Sequence, residues 1–198
     1  VDWEYHRPIL AQYLAPFEDM EGLDATDPHV KADWTDDEVF ERVLSLINSR
    51  MTKNDVPLNL HSTSMVTHAY IYTGDDKYKN WVLDYIQTWM DHRDKNGGIV
   101  PDNIGPNGEI GELMNGKWWG GYYGWRWPHG ARMIVEPSYV AGSCAALMTG
   151  DFSWLDLCRS QLDMLWDLRR EEDGIIKVPA RHGDQGWFDY RKPDPLYY

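Results

Sequence analysis

Thr73-Gly74-Asp75 recurs as Thr149-Gly150-Asp151, an offset of 76 residues, and the two copies continue alike. The apolar positions Tyr78, Trp81, Val82, Ile86, Trp89 and Met90 are matched by Trp154, Leu157, Cys158, Leu162, Leu165 and Trp166, and Arg93 by Arg169. A spacing of i, i+3, i+4, i+8, i+11 and i+12 keeps side chains on one face, so each copy predicts an amphipathic helix. Asp75 and Asp151 stand where an N-cap is needed, since a short carboxylate accepts backbone N–H groups that the first turn leaves unpaired. Each helix then meets a glycine stop, Gly97-Gly98-Ile99 or Gly174-Ile175, followed by a stretch carrying Pro101 or Pro179.

A helical segment precedes each turn, so the unit is helix, tight turn, helix, long loop. The predicted helices are 36–49, capped by Thr35 or Asp36 and using Val39, Phe40, Val43, Leu44 and Ile47, then 57–72, 76–94, 138–149 and 152–171. Residues 1–34, rich in Asp and Pro, read as irregular or as holding one short helix. The fold class expected is all-α, a single domain over 1–198 of antiparallel helical hairpins with long aromatic loops.

The chain carries 32 acidic against 19 basic residues, a net charge of −13, with 42% hydrophobic and 26% charged residues and a mean hydropathy of −0.59. That is a globular balance. The negative field repels phosphate backbones and anionic lipids, and no basic run reverses it, so neither nucleic acid nor a membrane surface is expected as a partner. No apolar stretch approaches the roughly 18 residues that cross a bilayer, and the first residues lack the regions of a signal peptide. A soluble protein is expected, periplasmic or secreted in preference to cytoplasmic; a chain beginning with Val fits a processed or truncated product, so the missing signal does not fix the compartment. Cys144 and Cys158 lie on helical apolar stripes and read as buried thiols, with a bridge across the hairpin as the alternative.

Eleven Trp and twelve Tyr against four Phe favour surfaces that stack on polar ligands, of which sugars are the obvious class. Residues 96–133 form a connection holding ten glycines, far longer than ordinary helix-to-helix loops and therefore a functional candidate. At its centre four Trp and two Tyr fall within ten residues: Trp118, Trp119, Tyr122, Tyr123, Trp125 and Trp127. The bland alternative is an aromatic plug under the loop. Between Glu112 and Glu136 there is no acid, yet Lys117, Arg126 and Arg132 are present with His129, which suggests a site for a carboxylate or sulfate. Against this, Arg126 could stack on a neighbouring Trp and pair with a carboxylate. The second loop, 172–198, adds His182, Gln185, Trp187, Asp189 and Tyr190. Asp102, Glu109, Glu112, Asp184 and Asp189 are the loop acids able to face a shared cleft as a paired acid and base. No metal or cofactor is expected: Asp102 to Glu112 misses the EF-hand spacing, and His61 and His68 lie two turns apart.

Helical hairpins with this turn, each followed by a glycine stop and a long aromatic loop, resemble the repeats of the six-hairpin glycosidase superfamily and of the toroidal polysaccharide lyases. The resemblance rests on Tyr72 to Ile99, Met148 to Ile175 and the loop 115–130. It implies an (α/α) toroid, or an open arc of one, whose loops line a sugar cleft. A full toroid has six hairpins where this chain supplies two and a half, so a missing remainder of a larger chain or a homo-oligomer is implied.

Three functions compete. In a lyase acting on a uronic-acid saccharide, Arg126 or Asn115 neutralises the carboxylate, His129 or a tyrosine such as Tyr123 takes the C5 proton, and a tyrosine protonates the leaving oxygen. Substrate would rest on Lys117, Trp118, Trp119, Tyr122, Trp125, Trp127, His182 and Trp187. In a glycoside hydrolase, two of Asp102, Glu112 and Asp189 serve instead. The third reading is a sugar-binding or scaffold module without catalysis. All three require the two long loops to meet at one end of the helices.

Overall fold

A computed structural model describes residues 13–23 and 27–193. The expectation for residues 1–34 therefore falls partly outside the described residues. Within them, β1 (Tyr13–Leu14) and β2 (Lys31–Ala32) form a short antiparallel ribbon. Five α-helices follow: α1 (Asp37–Ser49), α2 (Ser62–Thr73), α3 (Asp76–Lys95), α4 (Arg132–Thr149) and α5 (Asp156–Asp167).

The repeated turn has the same hydrogen bonds in both copies. Gly74 and Gly150 take φ of +68° and +75°, a left-handed conformation open to glycine at little cost, and each N–H donates back to a carbonyl four residues earlier. The Thr73 and Thr149 hydroxyls each donate to a helix carbonyl at 2.7 Å and accept from the N–H of the following Asp. Asp75 then caps α3 through Lys77 N–H, and Asp151 accepts from Ser153 N–H at the head of a short 3₁₀ turn leading into α5. Asp36 caps α1 through Val39 N–H.

The all-α fold class, a toroid or open arc of helical hairpins, does not hold: the described residues are mixed, 49% helical and 14% strand. The second loop is an antiparallel meander of β3 (Arg170–Glu172), β4 (Ile175–Gly183) and β5 (Gly186–Arg191). Its first turn is Asp173-Gly174, with φ of +53° and +73°, the pair of positive angles that a two-residue hairpin turn needs. Gly174 is therefore a hairpin residue and not the helix stop expected, since the helix before it already ends at a Leu168 cap. α5 accordingly ends at Asp167, short of the expected 171.

Two cores organise the molecule. α4 is central to the larger one, packing on α2, α3 and α5. It presents Ala141, Gly142, Ala145 and Ala146, and a Cβ on Gly142 would stand 2.7 Å from the Trp154 carbonyl oxygen. Val82, Ile86, Trp89, Val100, Trp125, Ile134 and Leu157 complete this core. The smaller core joins Ala15, Phe17, Met20, Val30, Trp34, Val43, Met51 and Met114. Cys144 and Cys158 are free thiols, and burial pushes that of Cys158 up to about 11.

Candidate functional site

The aromatic loop lies where the two cores meet, and one carboxylate shapes it. Asp102, fully buried, accepts the backbone N–H groups of Gly120, Gly121 and Trp125 at 3.0, 2.7 and 2.6 Å, and the Asn103 amide at 3.0 Å. Gly121 and Gly124 are required by this wrapping, because a Cβ on either would stand 2.1 Å from an Asp102 oxygen. Burial pushes the Asp102 carboxyl up to about 6, against the pull of its N–H donors. Asp102 is a loop organiser, enclosed by its own donors, and does not offer an oxygen to a ligand.

From that anchor successive residues diverge. Trp125 is fully buried in the larger core, its indole N–H donating to the Val100 carbonyl at 2.7 Å. Trp127 packs on Trp34 and the smaller core. Arg126 between them is 1% exposed, its Nε 2.9 Å from Glu18 Oε1 and its guanidinium over the Phe188 ring. Burial lowers the Arg126 pKa and raises that of Glu18.

The two long loops do meet. His182 N–H donates to the Trp125 carbonyl, Ala131 N–H to the Ala180 carbonyl, and Arg181 Nη1 to the Arg126 carbonyl. His182 sits among Trp118, Trp119 and Trp187, with ring centroids 4.5, 4.7 and 4.8 Å away. Burial there depresses its pKa to about 4, so the imidazole is neutral at pH 7. Lys117 Nζ and Trp119 Nε1 both reach Asp184, at 2.8 and 3.3 Å.

These placements correct the anion site drawn from the acid-free window. Each cation of that window has a carboxylate: Asp184 and Glu18 come from elsewhere to Lys117 and Arg126, and Arg132 has Glu136 one turn further along α4. Arg126 and Trp125 are closed off from ligand, and Trp118, Trp119 and Trp187 are packed around His182 as a plug. Of the carboxylates, Glu112 accepts both the backbone N–H and the side-chain amide of Asn107. Asp189 is held by Arg181 and Arg191; burial raises its pKa but the two guanidiniums outweigh that and keep it low. Asn115 donates to Asp19.

What faces outward is the rim of the loop: Tyr122 and His129 exposed, Tyr123 and Trp127 half-buried. Tyr123 has φ of +53°, unusual for a residue with a large side chain, and its ring stands 4.5 Å from that of Tyr122 and 5.8 Å from that of His129. His129 leads into a cavity of about 540 Å³ between α4, α5 and the sheet. Its floor is Val135, Leu162, Leu165 and Val178, its walls carry Arg132, Arg181, Arg191 and Lys192, and among the described residues no acidic side chain lines it. Sequence reasoning missed Arg181, Arg191 and Lys192 as site residues. Pairing 175–183 with 186–191 as strands brings Arg181 and Arg191 together around Asp189; nothing in the sequence points to Glu18.

Among the described residues no group of three or more His, Cys, Asp and Glu is placed to hold a metal ion, and no helix is long and apolar enough to cross a membrane. The chain belongs to the family described as a domain of unknown function, DUF8034, whose model matches residues 1–180. No curated protein and no solved structure matches it.

Proposed function

We propose that this DUF8034 domain acts on an acidic saccharide bound across the Tyr122–Tyr123–His129 rim and into the cavity beside it. One observation carries the reading: in a chain of net charge −13, the described lining of the cavity of about 540 Å³ carries four cations and His129, while Glu136 and Asp189, the carboxylates paired with Arg132, Arg181 and Arg191, lie outside that lining. Cations on a partly apolar wall suit a uronate, whose ring has an apolar face and whose carboxylate takes a guanidinium. The uronate contact moves from Arg126 to Arg132, Arg181, Arg191 and Lys192.

The chemistry that fits is β-elimination. The His129 imidazole takes the C5 proton, the C4–O bond breaks as a C4=C5 double bond forms, and the leaving oxygen receives the Tyr123 phenolic proton. Paired-carboxylate hydrolysis has less support, because Asp102, Glu112 and Asp189 are already engaged. The test is incubation with a panel of uronic-acid polysaccharides, following ultraviolet absorbance and reducing ends together. Both rise for elimination. Reducing ends alone would assign hydrolysis, and saturable binding without either would assign a binding module.

A further inference from the structure

The junction of the two cores holds a charged pair whose hydrogen bonds the chain itself does not supply. Arg126 is 1% and Glu18 4% exposed, and their approach, Nε to Oε1 at 2.9 Å, is a contact of charges. Among the described residues, none of the three guanidinium nitrogens of Arg126 makes a hydrogen bond, and neither does Glu18 Oε1. Glu18 Oε2 accepts the Asp184 backbone N–H, so the oxygen left over is the one turned to Arg126. A buried polar group without a hydrogen bond is costly, and more so when it carries charge.

A small void reaches both groups. It measures about 10 Å³ and is bounded by Phe17 and Glu18 after β1, by Gly120 and Arg126 of the aromatic loop, and by Arg50 and Lys117, which are partly exposed. That is room for about one water. The charges around the void select the same occupant. Arg50 is paired with Asp19, Lys117 with Asp184 and Arg126 with Glu18, so a further ion of either sign would enter uncompensated. We infer that one water is bound here as a fixed part of the fold, accepting from the Arg126 guanidinium and donating to Glu18 Oε1. These two side chains offer the several polar partners that a water needs to stay buried. The bound water turns a contact of charges into a hydrogen-bonded bridge between the aromatic loop and the segment after β1, where Asp184 also meets Glu18.

A crystal structure at a resolution that shows ordered water tests this, with bromide soaked in. The expected map has a peak within hydrogen-bond distance of both an Arg126 Nη and Glu18 Oε1, without anomalous signal from bromide. In solution, water-deuteron relaxation dispersion should find one long-lived water fewer in Arg126→Met, whose thioether donates nothing, and the wild-type number in Glu18→Gln, which keeps an acceptor oxygen. Circular dichroism checks that each variant folds, and the wild-type map decides by itself if one does not. A map in which the guanidinium bonds Glu18 directly with no peak between them overturns the inference. So does bromide at the peak, which would make this an anion site, or an unchanged number of long-lived waters in folded Arg126→Met.

Discussion

The backbone N–H of Asp184 donates to Glu18 Oε2 at 2.5 Å, across 166 positions of chain. That contact ties the tip of the β4–β5 hairpin to the segment after β1, and the other oxygen of Glu18 faces Arg126. Gly183 is what allows it, since a Cβ there would stand 2.2 Å from Glu18 Oε1. Lys117 closes the circuit on Asp184. The aromatic loop is thereby clamped from both sides by carboxylates far away in sequence.

Breaking the buried member of this clamp should be costly. Glu18→Gln and Arg126→Met are each expected to lower the unfolding free energy by about 3 kcal/mol, because each leaves a buried partner uncompensated. The double variant should lose clearly less than the sum, and urea unfolding of the four proteins reads the coupling. Lys117→Met, whose ion pair is partly solvated, should cost under about 1 kcal/mol. Strict additivity of the two buried substitutions would mean that Glu18 and Arg126 do not interact.

Asp102 should impose a pH dependence of definite sign. Its folded pKa of about 6 lies above the ordinary 3.8, so folding favours the protonated carboxyl. The associated stability is fully present below about pH 3.8 and is lost as pH rises through about 6, at up to roughly 1.4 kcal/mol per pH unit. Asp102→Asn does not titrate. The stability of wild type relative to this variant should therefore fall between pH 4 and pH 7, by about 3 kcal/mol if other groups cancel. A difference that grows with pH would show that the N–H donors, and not burial, dominate this carboxyl.

The close wrapping of the loop predicts a contrast among its glycines. Gly121→Ala and Gly124→Ala drive a methyl into Asp102 and should each cost about 2 kcal/mol or more. Gly116→Ala meets open space and carries only the backbone strain of its φ of +79°, about 1 kcal/mol. Thermal melts at one pH rank the three, and equal losses would remove Asp102 from its organising role.

For the saccharide site, Arg132→Gln and Lys192→Gln should weaken acidic oligosaccharides by about tenfold to a hundredfold and leave neutral ones unchanged, the worth of a charge-assisted hydrogen bond. His129→Ala and Tyr123→Phe should lower turnover by about two to four powers of ten with binding largely retained. Titration calorimetry with matched acidic and neutral oligosaccharides, beside initial rates, separates the two effects. Equal weakening of both ligand types by Arg132→Gln would remove the uronate.

The turns and helices were legible because their causes are local. A cap residue, a glycine at positive φ and an apolar stripe all act within about four residues, so Thr73-Gly74-Asp75 and its image announce themselves, and α1 to α4 begin or end close to where periodicity puts them. The Asp173-Gly174 turn was equally local, but the glycine served two readings, and only pairing of Glu172 with Ile175 decides for a hairpin. The placement of the aromatic run was not legible at all. Nothing in the order Trp125-Arg126-Trp127 says that one indole enters the larger core, the next ring the smaller, and the guanidinium between them a carboxylate from residue 18. Ion pairing is set by distance in space, and a window empty of acids along the chain receives Glu18 against Arg126 and Asp184 against Lys117 once the chain folds back on itself. Local propensity determined the elements; long-range packing decided which side chains were buried in the two cores and which cations, with their carboxylates set behind them, line a cavity.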